Sequence, residues 1–182
     1  LVHQQPHLGV QRRAHRRATD PAAAGTEHGP DPPDNAATPL AGFGGPEGKG
    51  DATPFPRNVT RGRGTPGGRR EEAAHHYRHF GGVSPINAQN RALKAALEAE
   101  IARRGLGLPV YWGNRNWGPY LEEAVQEAAD AGHTRLLALA TSAYSSFSSC
   151  RQYREDFARV LTETQLAGTV TIGGPAEFMT ER

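Results

Sequence analysis

The hydroxyls of Ser142, Tyr144, Ser145, Ser146, Ser148 and Ser149 crowd the junction between an apolar run and an amphipathic one. One or two serines suffice to cap a helix and satisfy its orphan amides. A phosphate cradle is the usual use of a richer set, but no GxGxxG and no Walker lysine accompanies it. A G-x-S-x-G elbow is also missing, which argues against serine hydrolysis. His75 and His79 stand four apart with His76 beside them, a helical spacing that can bind zinc. The glutamate of H-E-x-x-H is not there, so a solvated histidine face is the simpler reading. Arg61 and Arg63 make a glycine-flanked basic turn in TRGRGTP. Its guanidinium forks suit the carboxylates of a small ligand, and a single RG copy is a weak sign of RNA. Cys150 opens a helix-like run, where the dipole favours its thiolate; an inert buried thiol is the alternative. Trp112 and Trp117 flank a Gly-Asn-Arg-Asn loop, as core or as an apolar wall for a flat ligand.

These residues need elements to hold them. GRREEAAHHYRHF is rich in helix formers and stops at Gly81-Gly82, where a left-handed cap is easy. SPINAQNRALKAALEAEIARRG follows, with Ser84 as N-cap and Pro85 at the first helical position. Ile86, Leu93, Leu97 and Ile101 form its apolar stripe. Asn87, Gln89 and Asn90 offer more polar groups than a helix start requires. LPVYWGN reads as a strand, GPYLEEAVQEAADAG as a helix, and TRLLALATSAY as a strand buried on both faces. SSCRQYREDFARVLTET is a further helix with Tyr153, Phe157, Val160 and Leu161 on one side, and GTVTIGG a further strand. The alternation predicts βαβ units and a parallel sheet, with ligands bound outside the carboxyl ends of the strands.

Composition bounds the rest. Hydrophobic residues are 36%, low for a fully folded chain, with proline gathered in the first third. Residues 1–40 show no apolar period and are expected to be a disordered tail, of the composition that GC-rich DNA gives when read out of frame. RRAHRR within it is the one basic arm, but a formal charge of +2 does not call for a nucleic-acid partner. The single cysteine excludes an internal disulfide and suits a reducing compartment, and no apolar run is long enough for a membrane span.

Five stretches, GFGGPEG, NVTRGRG, HYRHFGGVSPINAQNRAL, LPVYWGNRNWGPYL and TSAYSSFSSCRQYRED, resemble the ferrochelatase family in order and spacing, from about Ala41 to Arg159. The likeness is strongest to its actinobacterial coproporphyrin III branch. It implies a three-layer, Rossmann-like, chelatase-type α/β domain over residues 41–166, incomplete, with a divergent end over 167–182. It also implies insertion of Fe2+ into coproporphyrin III or protoporphyrin IX, in a cleft between two similar domains, in the cytoplasm. By the same resemblance Ser84 hydrogen-bonds a propionate, while Tyr153, Phe43, Arg61 and Arg63 contact the porphyrin. Cys150 matches one ligand of a [2Fe-2S] cluster whose other ligands lie near the C-terminus of full-length members, so no cluster is expected here. The family's metal-binding histidine and glutamate belong to a second domain not found in these residues. The chain therefore reads as an inactive fragment, with a non-enzymatic tetrapyrrole-binding module as the alternative and a basic RNA-binding protein behind it. Three departures stand out: NAATPLAG replaces a strongly apolar first strand, Pro54 and Pro56 fall where the family has a helix, and Gly118 replaces a histidine.

Overall fold

In the computed structural model, residues 32, 34–142, 146 and 151–176 are described. The chain runs β1 (Ala36–Gly42), α1 (Pro54–Val59), α2 (Gly67–His79), α3 (Ile86–Arg103), β2 (Val110–Asn114), α4 (Leu121–Asp130), β3 (Arg135–Ala140), α5 (Gln152–Glu163) and β4 (Thr171–Ala176). The strands form one parallel sheet in the order β2-β1-β3-β4, so β1 is central. This is the α/β parallel sheet that the alternation implied.

Strand β1 begins at Ala36, inside the segment read from composition as a tail. AATPLAG is a poor strand sequence, because a proline in a central strand removes a ladder donor. The cost is visible. Thr38 donates its N–H to Pro109 on the β2 side (2.8 Å), so the nitrogen of Pro39 faces β3. The pairing of β1 with β3 skips from Ala37 to Leu40. Burial overrides propensity here, since all seven residues of the strand are buried. The prolines of α1 are tolerated for a different reason. They lie in its first turn, where N–H groups lack intrahelical partners and the fixed φ of proline is already helical.

One face of the sheet is covered by α4 and α5. Leu121, Val125, Tyr153, Phe157 and Val160 pack there on Ala37, Ala41, Leu136, Ala138 and Ala140. Helix α4 starts cleanly, with the Glu123 carboxylate accepting the Tyr120 N–H at 2.8 Å. On the other face α3 lies mainly against β2 and β1. That face of β3 is open: Leu137 is 53% exposed, beside an apolar hollow of about 370 Å³ shared with Ala36 and Leu108. The expectation that β3 is buried on both faces is thus corrected. Its apolar run is continuous, yet only Leu136, Ala138 and Ala140 meet a helix layer.

Helix α3 also differs from its pattern. Its stripe of Ile86, Leu93, Leu97 and Ile101 is only half-buried, whereas Asn87 and Asn90 are buried. Gly82 precedes it at φ +81°, and a Cβ there would lie 2.5 Å from the Lys49 Cα. Only glycine allows that approach. No helix among the described residues is long and apolar enough to cross a membrane.

Candidate ligand site at the carboxyl ends of the strands

The loops leaving β1 and β2, the turn before α3, and helices α1 and α2 meet at the carboxyl end of the sheet. Three buried asparagines hold them together. Asn87 donates its amide to the Gly45 carbonyl (3.1 Å), and Asn114 donates to Asn87 Oδ1 and to the Gly118 carbonyl (both 3.4 Å). Asn90 Nδ2, Asn114 Oδ1 and Trp112 Nε1 are buried without a partner, and all three face Gly42. Unpaired polar atoms in a core are costly, so this cluster is held by the packing around it. Asn116 closes the floor, donating its backbone and side-chain N–H to the Phe43 carbonyl (3.2 and 3.1 Å). Asn58 of α1 reaches the same loop, donating to the Asn116 carbonyl and to the Tyr120 hydroxyl.

On this frame sits an aromatic cluster centred on Phe55. Its ring meets Phe43, Tyr77 and Trp117 edge-on, at centroid distances of 6.3, 5.5 and 5.8 Å. Between α1 and α2 the cluster lines a recess of about 240 Å³, with Phe43, Phe55, Val59 and Tyr77 inside and Arg69 and Arg70 at the edge. Burial raises the Tyr77 pKa, so its hydroxyl stays protonated and can donate.

The residues singled out from sequence fall into three groups. Phe43 and Ser84 come together at this site. Phe43 is 39% exposed at the end of β1. Ser84 lies against Gly45, with its N–H bonded to the Pro46 carbonyl (2.8 Å) and its Oγ 3.4 Å from the Ile86 nitrogen. That long contact leaves the Ser84 hydroxyl proton available for a ligand. Trp117 joins the aromatic cluster, while Trp112 lies under Arg91 (5.1 Å) on the α3 side. Arg61 and Arg63 are exposed on the α1–α2 connection outside the recess, Arg61 on the Asn58 amide oxygen. The histidines lie on the exposed side of α2, and no group of three metal-ligating side chains occurs among the described residues. Cys150, Tyr144, Ser145, Ser148 and Ser149 lie outside the described residues, and the cluster-ligand expectation with them.

Tyr153, a porphyrin contact by the resemblance, is a core residue in this structure. Its ring is 3% exposed in the core under α5, with the Arg115 guanidinium 4.8 Å from its centroid and Arg115 held in turn by Asp156. Burial pushes its pKa up to about 12, against the partial relief that Arg115 gives. In the unfolded chain the same phenol titrates near 10. Its contribution to stability is therefore complete below pH 10 and is lost as the pH rises to 12, a loss of about 2–3 kcal/mol. Urea titrations of wild type and Tyr153→Phe across that window should converge as the pH rises. A constant gap between them would refute the assignment.

Sequence reasoning missed Arg69, Arg70, Tyr77 and the buried role of Asn114. The Arg69-Arg70 doublet was readable as a signal, since it opens a helix that has no acid in its first turn.

A parallel-sheet α/β domain with a recess beyond its strand ends belongs to the class that binds ligands outside the carboxyl ends of its strands. Residues 36–173 match the family model described as Ferrochelatase, and the chain belongs to the ferrochelatase family. It is 66% identical over 159 residues to a coproporphyrin III ferrochelatase of Leifsonia xyli subsp. xyli, covering 87% of this chain and 41% of that protein. It is 56% identical over 138 residues to one of Streptomyces griseus subsp. griseus, and 52% over 139 to one of Tropheryma whipplei. With 159 of 182 residues matched, the first of these matches starts no later than residue 24, inside the segment read as a tail. The chain spans 36–41% of the length of these relatives.

Proposed function

We propose that this chain is the porphyrin-holding part of a coproporphyrin III ferrochelatase, which replaces the two pyrrole protons of coproporphyrin III with Fe2+ and yields coproheme and two protons. The observation that carries the reading is the 66% identity to a relative of that name across the elements that build the site. The recess beside Phe43 supports it, because a flat macrocycle needs an apolar wall and its propionates need donors. Ser84 supplies one such donor. Iron enters as substrate, and the reading places the chain in the cytoplasm.

Metal insertion needs a base for the pyrrole protons and a group that delivers iron as it sheds water. In the family's pattern these are a histidine and a glutamate of a second domain, which these 182 residues do not include. Binding and orientation are therefore assigned here, and proton removal elsewhere.

The test is a titration of the chain with coproporphyrin III, followed by porphyrin absorbance and fluorescence. Binding is expected, with Ser84→Ala weakening it about five-fold, the value of one hydrogen bond of about 1 kcal/mol. Anaerobic addition of ferrous iron should then give metalloporphyrin at the protein-free rate. Failure to bind would overturn the reading, and turnover above that rate would overturn the division of labour. If porphyrin binds just as tightly to Ser84→Ala, the serine is not the propionate donor.

A further inference from the structure

Several arginines among the described residues are neutralised in place. Arg78, Arg91, Arg103, Arg104, Arg115 and Arg159 each hold a carboxylate. The stretch between Asp51 and Glu71 carries five arginines and no acid. Two of the five, Arg69 and Arg70, edge the recess between α1 and α2. Neither side chain makes an ion pair or hydrogen bond among the described residues, and they stand in the first turn of α2, where the helix dipole disfavours cations. Their position is thus unexplained by the stability of the helix.

We propose that Arg69 and Arg70 form a carboxylate subsite, taking an acid group carried on the edge of a flat apolar body that enters against Phe43, Phe55 and Tyr77. The chemistry follows from the parts. An aromatic interior favours an unsaturated ring over a sugar or phosphate, and paired guanidiniums grip a carboxylate through parallel N–H bonds. The Tyr77 hydroxyl, kept protonated by burial, is a third donor on the same wall. The recess, at about 240 Å³, is smaller than the roughly 300–1,000 Å³ of sites that enclose a whole ligand. It therefore admits one edge, and the rest of the ligand lies over Phe43 toward Ser84. The proposal rests on the porphyrin reading only for the identity of that body, whose edge would be a pyrrole with its carboxyethyl arm. Arg61 and Arg63 are not part of the subsite.

The experiment uses a probe that is not a porphyrin. 2-Naphthoate is added to the isotopically labelled chain, with naphthalene-2-methanol as its neutral counterpart, and arginine Nε–H and aromatic resonances are followed by NMR. Naphthoate should shift the signals of Arg69, Arg70, Phe55 and Tyr77, and the alcohol should bind at least ten-fold more weakly. The Arg69→Ala/Arg70→Ala double variant should lose naphthoate binding about ten-fold or more. The corresponding lysine pair should recover part of it, since charge remains but the fork is lost. Shifts confined to other residues, equal binding of the neutral analogue, or an unaffected double variant would each overturn the subsite. If naphthoate behaves as expected and coproporphyrin III does not bind, the subsite stands and the porphyrin reading falls.

Discussion

Gly42→Ala is expected to destabilise the chain by about 2–4 kcal/mol, a large fraction of the roughly 5–15 kcal/mol that holds a domain folded. Gly42 ends the central strand, and a Cβ there would lie closer than 3.0 Å to both Asn114 Oδ1 and Asn90 Nδ2. Those amides cannot simply swing aside. Asn114 holds Asn87 and the Gly118 carbonyl, and Asn87 holds Gly45, so one methyl group disturbs three loops of the site together. Urea denaturation measures the loss. The Gly42→Ala/Asn90→Ala double variant should recover part of it by vacating one of the two contacts. A single variant with an unchanged midpoint would mean that the asparagine cluster is looser than the packing indicates.

Removing Asp156 should be similarly damaging. The Arg115 side chain is 6% exposed and pairs with Asp156, itself 20% exposed. Asp156→Ala takes the carboxylate from a buried guanidinium that also lies over the Tyr153 ring, and breaking such a pair costs about 3–5 kcal/mol. Arg115→Met removes the charge and keeps much of the volume. Combined with Asp156→Ala it should cost clearly less than the two single changes added together. Strict additivity in that cycle would show that the pair contributes nothing by being together.

The contrast between these residues and the sequence pattern shows what was legible. Helices α4 and α5 and strands β2, β3 and β4 follow local apolar period, and each lies where that period places it. Strand β1 was hidden. Alanine, threonine and proline make a weak strand, and β1 persists because parallel neighbours on both sides bury it. Pro54 and Pro56 misled for a related reason, since the penalty for proline depends on which turn of the helix it occupies. In α3 the apolar stripe was visible, but the residues it buries best are Asn87 and Asn90, whose partners Gly45 and Asn114 are distant in sequence. Phe43 and Ser84 were reachable through the resemblance of their motifs. Tyr77 was not, and the Arg69-Arg70 doublet was a visible signal without a visible role, because a recess exists only once α1 and α2 are side by side. Tyr153 was visible as a residue, yet its environment depends on Arg115 arriving from the end of another strand.

The break at Pro39 has a mechanical meaning. A parallel sheet transmits force through its ladder, and here the ladder is thinned where β1 meets β3. The pairing of β3 with β4 also shifts register between Leu137 and Leu139, next to the same place. Both irregularities fall at mid-sheet, away from Gly42 and Asn114. The ladder is thus thinned on both sides of β3 at mid-sheet, and β3 can shift against its neighbours there without loosening the loops that carry Phe43 and Ser84.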